Sequence, residues 1–485
     1  MSTDLASLQQ RHGPRYRWLL MLSVMVGTIA SIMSSTVVNV AIPDLSHHFS
    51  LTQERAQWVS SGFMVAMTVS MLTTPWLLAR YGYRRTVVGT MLLLMAGGLV
   101  GGFAAHFPLV LAARVAEALA AGVAQPIPAI IMLRAFQQHE QGRASGLFGM
   151  GVVLAPALGP SIGGVLVDAF GWRSIFFMVV PLCLLAIGLA YRYVPTSAPG
   201  GQQADRRVPL DWRGLLAGSA GVLCLLNGLV ELRGGHAGVA LATLLAAGAL
   251  LAGTVAWLRR APARGVEPLL NLDLFRHRTY ALGSIVAFIY GTALFGSTYL
   301  LPVYMQLALE LPAAHAGTVL LPSGLVLAIV IGIAGRLNDR VPTYLMVSAG
   351  LALLAASFAL MPTIGPGGLA LLTAWTILGR VGLGLILPSL NIGAMRGLPR
   401  ERIPQAASAI NFQRMLGGAA GVSLCAVVLE WRIAAHGDSL ARPGTSAERL
   451  AAFNESFLLM AAVCALAMVV AWRMRAAPAS VAADE

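Results

Sequence analysis

The sequence predicts an all-α polytopic membrane protein with about fourteen membrane-spanning helices. Of its 485 residues 57% are hydrophobic and only 11% are charged, and the mean hydropathy is +0.75. Soluble proteins carry roughly 25% charged residues, so water would not solvate this much apolar surface. The apolar residues also fall into stretches of about 20, the length at which a helix crosses a hydrocarbon core of about 30 Å.

Each stretch is expected to be a helix, because only helices and closed barrels satisfy the backbone in lipid, and barrel strands are short and alternating. Reading from the N-terminus, the expected spans are 18–41, 57–79, 86–106, 109–132, 143–168, 174–194, 214–232, 237–258, 280–304, 314–334, 343–363, 367–390, 405–430 and 453–473.

The basic residues indicate the orientation of these spans. All 33 are arginine; with both termini inside, 24 of them lie in cytoplasmic segments, 6 outside and 3 within spans. Such a bias obeys the positive-inside rule and predicts that both termini lie in the cytoplasm. The expected location of the protein is the bacterial inner membrane. Because the arginines are distributed between spans and form no single patch, the pI of about 10.4 does not indicate nucleic-acid binding.

The loops leave no room for a soluble domain. The longest are 195–213, 259–279 and 431–452. A chain without lysine cannot supply a Walker-type nucleotide-binding loop, so energy is expected from a solute or ion gradient. We found no cluster of nucleophiles or metal ligands in the spans, and the four cysteines lie in apolar stretches. We therefore expect no metal, no cofactor and no enzymatic activity.

A weak internal repeat divides the chain into two halves. The fourth span contains Ala113-Arg114-Val115 and the twelfth contains Gly379-Arg380-Val381, each with a proline further on. Two such parallel repeats meet around a binding site at the membrane midplane. The expected organisation is a tail (1–17), a six-helix bundle (18–194), a linker with two extra helices (195–279), a second six-helix bundle (280–474) and a tail (475–485).

Proline and glycine are concentrated in the fifth span, at Pro156, Gly159, Pro160, Gly163 and Gly164. Proline removes a backbone donor and bends a helix, and glycine permits close helix contact. Together they predict a bent, tightly packed helix that could seal one side of a cavity. A plain packing motif is the alternative.

These features resemble the major facilitator superfamily, specifically its 14-helix drug:proton antiporter branch (EmrB/QacA-like). The fifth-span motif is similar to the antiporter motif of that branch. Further matches, in the same order as in the family, are residues 36–43, 111–115, 171–181 and 414–418. The resemblance extends over almost the whole chain, and it implies two six-helix bundles plus two inserted helices.

The gating loops that the resemblance implies are present in altered form. The loop after the second span has Pro75 and Ala79 where the family usually has Gly and Asp. The first copy keeps Arg80, Gly82, Arg84 and Arg85, and the second keeps Gly335, Asp339 and Arg340.

Two further departures concern acidic residues. The first-span motif usually has an acidic residue two positions before Thr36, and this chain has Ser34. Conversely, Glu117 follows Arg114 by one helical turn and is the one acidic residue that the sequence places well inside a span. A charge at membrane depth is costly and is by default a functional candidate. We interpret Glu117 as the proton carrier and Arg114 as the group that tunes its proton affinity; the alternative is a static ion pair.

Three other polar residues within or next to spans are candidates for the cavity. Arg380 and Arg414 could contact an anionic substrate or pair with backbone carbonyls, and Asn39 could act in gating or in packing.

The resemblance implies proton-coupled efflux of amphipathic drugs or toxic small molecules by alternating access. The alternatives are export of a specific endogenous metabolite or siderophore, and proton symport. The expected partners are small amphipathic substrates, protons and the lipid bilayer. Some relatives in double-membrane bacteria work with a periplasmic adaptor and an outer-membrane channel, for which the loop 431–452 would be the docking element.

Overall fold

The structure is a computed structural model that describes residues 5–197, 204–233, 237–264, 266, 268–311, 313–365, 368–438 and 446–475. In these ranges the regular secondary structure is helical, and 14 helices are long and apolar enough to cross a membrane. The predicted number of spans and the all-α class are therefore confirmed. Two compact units are present, one comprising Met1–Asn271 with Arg400–Phe412 and the other Leu272–Pro399 with Gln413–Glu485.

Unit 1 contains the first thirteen α-helices of the chain. They are α1 (Leu5–His12), α2 (Tyr16–Val37), α3 (Ile42–His48), α4 (Gln53–Ser70), α5 (Thr74–Tyr81), α6 (Tyr83–Gly102), α7 (Phe107–Ala124), α8 (Ile127–Ala135), α9 (Gln138–Phe170), α10 (Ser174–Phe177), α11 (Val179–Tyr193), α12 (Trp212–Arg233) and α13 (Ala237–Arg260).

Unit 2 contains most of the remainder. Its helices are α14 (Arg278–Leu307), α15 (Ala313–Leu337), α16 (Thr343–Leu360), α17 (Leu369–Gly393), α18 (Ile403–Ala435, whose first residues belong to unit 1) and α19 (Ala447–Trp472).

Three predicted spans are each divided into two helices, and a proline lies close to each division. The second span breaks between α4 and α5, the fourth between α7 and α8, and the sixth between α10 and α11. Pro75 lies in the first turn of α5, Pro126 immediately precedes α8, and Pro181 lies in the first turn of α11. Each proline lacks the N–H that would continue the preceding helix, so the span bends there.

Helix α7 is central to the packing of unit 1, where it contacts α2, α4 and α6. Its glycine and alanine residues permit this close approach. A side chain at Gly122 would collide with the Ser70 hydroxyl and the Met67 carbonyl of α4. The buried face of α7 therefore positions its few polar side chains inside the unit.

The inserted pair α12–α13 belongs to unit 1 and is joined by one buried carboxylate. Oδ1 of Asp211, which is 3% exposed, accepts hydrogen bonds from the Gly214 amide and from Nε1 of Trp257, both at 2.9 Å. Asp211 thus caps the start of α12 and connects it to the end of α13.

Candidate functional site

The centre of unit 1 contains an ion pair formed by Arg114 and Glu117 on α7. Nη1 of Arg114 donates to Oε2 of Glu117 at 2.6 Å, and the two residues are 2% and 1% exposed. The same Nη1 donates to the carbonyl and to the hydroxyl of Ser34 on α2, both at 3.1 Å. The Ser34 hydroxyl in turn donates to Oε2 of Glu117 at 3.2 Å. One carboxylate oxygen is therefore bound by both helices.

The guanidinium of Arg114 also contacts α4. Its Cζ lies 4.1 Å from the ring centroid of Phe63, and Nε donates to the Val59 carbonyl at 3.4 Å. A cation over an aromatic face is attracted by the ring quadrupole, and the attraction is strongest away from water. The positive charge of Arg114 thus keeps favourable contacts that do not depend on Glu117.

The second carboxylate oxygen lies in a different environment. Among the described residues, Oε1 of Glu117 and Nη2 of Arg114 are buried without a hydrogen-bond partner. A Cβ added to Gly97 on α6 would lie 2.6 Å from Cγ of Glu117, and one added to Gly98 would lie 3.5 Å from Oε1. The two glycines therefore leave room for the Glu117 side chain, and Oε1 is buried without a hydrogen-bond donor among the described residues.

Ser34 on α2 occupies the position at which the family resemblance predicts an acidic residue. Its hydroxyl lies next to both Arg114 and Glu117. The carboxylate of Glu117 thus reaches from α7 to the place where an acidic side chain of α2 would lie.

The predicted antiporter motif lies on α9 and packs against the end of α2. A side chain at Gly159 would collide with the Thr36 hydroxyl, and a Cβ at Gly163 would lie 2.8 Å from Cγ1 of Val37. A Cβ at Gly164 would meet no atom within 4 Å. Pro156 is half-buried, and the side chain of Pro160 lies outside the described residues. Two of the three motif glycines therefore provide the close α2–α9 contact.

The first predicted gating loop binds the chain segment that follows α11. Nη1 of Arg80 donates to the Val208 carbonyl at 2.8 Å, and Nε of Arg84 donates to the Val194 carbonyl at 2.7 Å. Gly82 has φ +78°, a conformation that glycine adopts readily, while Arg85 is exposed. A cavity of about 390 Å³ in unit 1 borders this loop.

The second copy of that loop lies in unit 2, between α15 and α16. Gly335 is buried near the end of α15, and Asp339 and Arg340 are exposed in the turn that follows. The Arg340 amide donates to the Leu337 carbonyl at 2.9 Å, which closes the turn.

Asn39 lies outside the buried cluster. It is exposed in the 3₁₀ turn after α2, and its Oδ1 accepts a hydrogen bond from the Ser60 hydroxyl of α4 at 2.6 Å. This bond connects the ends of two neighbouring spans.

The remaining cavity candidates lie in unit 2. Arg414 on α18 is 7% exposed and Arg380 on α17 is half-buried. Tyr290 on α14 is 1% exposed, and a side chain at the adjacent Gly291 would collide with the Arg414 carbonyl. The backbones of α14 and α18 thus touch beside Arg414.

Sequence reasoning did not predict the partners of the ion pair. Position 34 is predicted only as the place of a missing acid, and the sequence analysis singles out neither Phe63 nor the Gly97-Gly98 pair. Adjacent glycines in an otherwise apolar span indicate a close approach, which could have drawn attention to α6.

The family model described as Major Facilitator Superfamily matches residues 24–422. The uncharacterized MFS-type transporter YcnB of Bacillus subtilis is 26% identical over 477 residues, with 97% of each chain covered. The multidrug resistance protein B homolog of Mycobacterium tuberculosis is 29% identical over 413 residues, which cover 84% of this chain and 76% of the relative. Among solved structures, the human organic anion transporter MFSD10 (TETRAN) superposes with a TM-score of 0.67 at 15% identity, covering 94% of this chain and 99% of that one.

Proposed function

The chain belongs to the Major Facilitator Superfamily, as its motifs indicated, and from that premise we propose that it exports amphipathic small molecules in exchange for protons. It is a multi-pass membrane transporter and not an enzyme, with relatives that include multidrug resistance proteins. The exchange with protons, the outward direction, the bacterial inner membrane and the cytoplasmic termini are parts of the proposal.

The observation that carries the proposal is the buried Arg114–Glu117–Ser34 cluster. A buried ion pair is weak evidence for stability, because desolvation offsets much of the attraction between its charges. A functional reason for retaining it is that the carboxylate exchanges a proton. Oε1 of Glu117 provides an unoccupied acceptor for that proton among the described residues.

Protonation would change the forces within the cluster in a defined way. A neutral Glu117 attracts Arg114 less strongly, so the contact between these two side chains of α7 weakens. Arg114 keeps its hydrogen bond to the Ser34 carbonyl and its contact with the Phe63 ring. The α2–α7 and α4–α7 contacts would then differ between the protonated and the deprotonated protein. A switch between access states requires such a difference.

The proposal is tested by Glu117→Gln in proteoliposomes with an imposed pH difference. We expect proton-driven drug movement to fall to the level of empty liposomes, while downhill exchange of the drug continues because the amide preserves the shape of the site. Arg473→Gln, at an exposed arginine after the end of α19, is the matched control and should transport normally. Full proton-driven transport by Glu117→Gln would refute the role of Glu117.

Direction and substrate class need a cellular assay. Expression in an efflux-deficient bacterial host, with a panel of drugs, dyes and detergents, should raise resistance to several amphipathic compounds. Accumulation of a compound instead of its loss would favour symport, and resistance to none would favour export of one specific metabolite. An adaptor protein that docks on the outward loop 431–452 stays a prediction, and residues 439–445 of that loop lie outside the described residues.

A further inference from the structure

The chain segment that leads into α12 (residues 204–211, here the connecting segment) is hydrogen-bonded to α5. The Val208 carbonyl accepts from Nη1 of Arg80 at 2.8 Å and from Nε1 of Trp76 at 3.1 Å. A single backbone oxygen of the connecting segment therefore binds two side chains of the helix that enters the first predicted gating loop.

Hydrogen bonds are the contacts that the structure shows between α5 and this segment beside an open space. A cavity of about 390 Å³ borders both, with Ala79 and Leu210 in its lining. Next to it, the Asp205 amide donates to the Ala79 carbonyl at 2.9 Å. Residues 74–85 contain three arginines and no Asp or Glu, so this stretch has no carboxylate of its own to offer Arg80. The bonds to the connecting segment therefore contribute to the position of the loop.

Asp211 fixes the other end of the connecting segment to the inserted helices. Its Oδ1 accepts from the Gly214 amide and from Nε1 of Trp257, both at 2.9 Å, and its Oδ2 accepts from the Leu269 amide at 3.4 Å. The residue is 3% exposed, so water competes little for these bonds. One carboxylate thus joins the start of α12, the end of α13 and the chain that follows α13.

The two sets of hydrogen bonds are separated by a short and stiff stretch of chain. Only Pro209 and Leu210 lie between Val208 and Asp211, so the two Cα atoms are at most about 11 Å apart. The proline ring fixes its own φ and restricts the preceding residue to extended conformations. A displacement of α12 and α13 would therefore be transmitted to the Val208 carbonyl.

We propose that Asp211 is a positioning residue of the transporter, through which the inserted helices hold the first predicted gating loop. Asp211 fixes the connecting segment on α12 and α13, and the segment fixes the Val208 carbonyl. The loop can then move only if Arg80 and Trp76 release that carbonyl or if the inserted pair moves with it. This inference concerns how access is gated in the proposed transport function and rests on it.

The first test is Trp257→Phe, which removes the indole N–H and keeps an aromatic ring near Arg213 and Arg264, whose Cζ atoms lie 5.2 and 5.1 Å from the Trp257 ring. Hydrogen–deuterium exchange is measured by mass spectrometry on purified protein in phosphatidylcholine nanodiscs. We expect the amides of Gly82 and Asp205 to exchange about fivefold faster, as the loss of one hydrogen bond allows. Exchange within α7 should not change.

Trp212→Phe is the matched control. Trp212 lies at the start of α12 and is 62% exposed, so the same substitution there leaves the bonds of Asp211 in place. Its exchange at the loop and in the connecting segment should equal that of the wild type.

Two substitutions of Asp211 separate positioning from a general loss of structure. Asp211→Ala removes all three hydrogen bonds of the side chain and should accelerate the loop amides more than Trp257→Phe does. Asp211→Asn keeps an oxygen that can accept from Gly214 and Trp257, so it should restore exchange close to the wild-type rate. Size-exclusion profiles show whether each variant is folded.

A double-mutant cycle tests whether the two ends act through one connection. Arg80→Met removes the guanidinium that binds the Val208 carbonyl and should itself accelerate the loop amides. Because the connection is then already broken, adding Trp257→Phe should change their exchange by less than about twofold.

Transport kinetics provide a second readout. In downhill drug exchange by proteoliposomes, Trp257→Phe should lower kcat by about fivefold and leave KM within about twofold, since each cycle must form the bound loop again and no substrate contact is removed. A changed KM with an unchanged kcat would contradict a role in gating.

Unchanged loop exchange in both Trp257→Phe and folded Asp211→Ala would overturn the proposal. Equal acceleration within α7, an effect of Trp212→Phe as large as that of Trp257→Phe, or additive effects in the cycle with Arg80→Met would overturn it as well. The exchange measurements use neither a drug nor a proton gradient, so this proposal can fail while proton-coupled export holds, and the reverse.

Discussion

The two copies of the Arg-Val motif differ in the residue one helical turn further on. Arg114 on α7 is followed by Glu117, whereas Arg380 on α17 is followed by Leu383. In unit 1 the arginine is therefore neutralised within its own helix, and in unit 2 it is not. The comparison teaches that the same motif can have two charge balances: in the first half its arginine has an acidic residue one turn further on, and in the second half it does not.

The largest expected difference between the two copies is in stability. Arg114→Met leaves the Glu117 carboxylate buried without a cation, and we expect this to cost about 3–5 kcal/mol. Arg380→Met strands no carboxylate at its depth and removes a poorly compensated charge, so stability should not fall. Denaturant unfolding in mixed micelles measures both.

The double variant Arg114→Met/Glu117→Leu is the control for this pair. It replaces the ion pair with apolar groups of similar size and should recover most of the loss. Equal destabilisation by the two single methionine variants would show that the copies do not differ in the way described.

A smaller effect is expected from the glycines that make room for Glu117. In Gly97→Ala the new Cβ would lie 2.6 Å from Cγ of Glu117, so we expect a loss of about 1–3 kcal/mol from overpacking. Proton-driven transport should fall as the carboxyl group is displaced.

Gly89→Ala on the same helix is the matched control, since its Cβ would meet no atom within 4 Å. Its stability should stay within about 0.5 kcal/mol of the wild type. If both alanine variants behave alike in unfolding and transport, Gly97 has no special role beside Glu117.

The smallest expected change follows from moving the acid from α7 to α2. The Ser34 hydroxyl lies 3.1 Å from Nη1 of Arg114, so an aspartate at position 34 would pair with the same guanidinium. In the Glu117→Gln background, Ser34→Asp should restore proton-driven transport to within about tenfold of the wild type, equivalent to ~1.4 kcal/mol.

Ser35→Asp in that background is the control, because the Ser35 hydroxyl is directed to the Ile32 carbonyl of its own helix. It should restore nothing. Rescue by both aspartates would mean that any added charge near α2 is sufficient, and failure of both would mean that the carboxyl must be on α7.

The sequence predicted the spans and the intramembrane ion pair well, for physical reasons. A 20-residue apolar stretch has few alternatives to a helix in lipid, and residues three apart on a helix lie on one face. Arg114 and Glu117 could therefore be paired without any tertiary information.

The other partners depend on how helices pack, which local pattern does not encode. Ser34 and Phe63 reach the ion pair from α2 and α4, and the position of each depends on the rotation of its helix. The bends at Pro75 and Pro126 were likewise invisible to hydropathy, because proline interrupts the hydrogen bonds of a span without making it less apolar.

The ion pair of unit 1 also has an electrical consequence. With Glu117 ionised, the charges of the pair cancel; with a proton bound, the pair carries one net positive charge. If that charge changes its depth in the bilayer during the transport cycle, the membrane voltage does work on it, up to about 2.3 kcal/mol per 100 mV for a full crossing. A proton bound at this site would then make turnover sensitive to voltage even when the pH is equal on both sides.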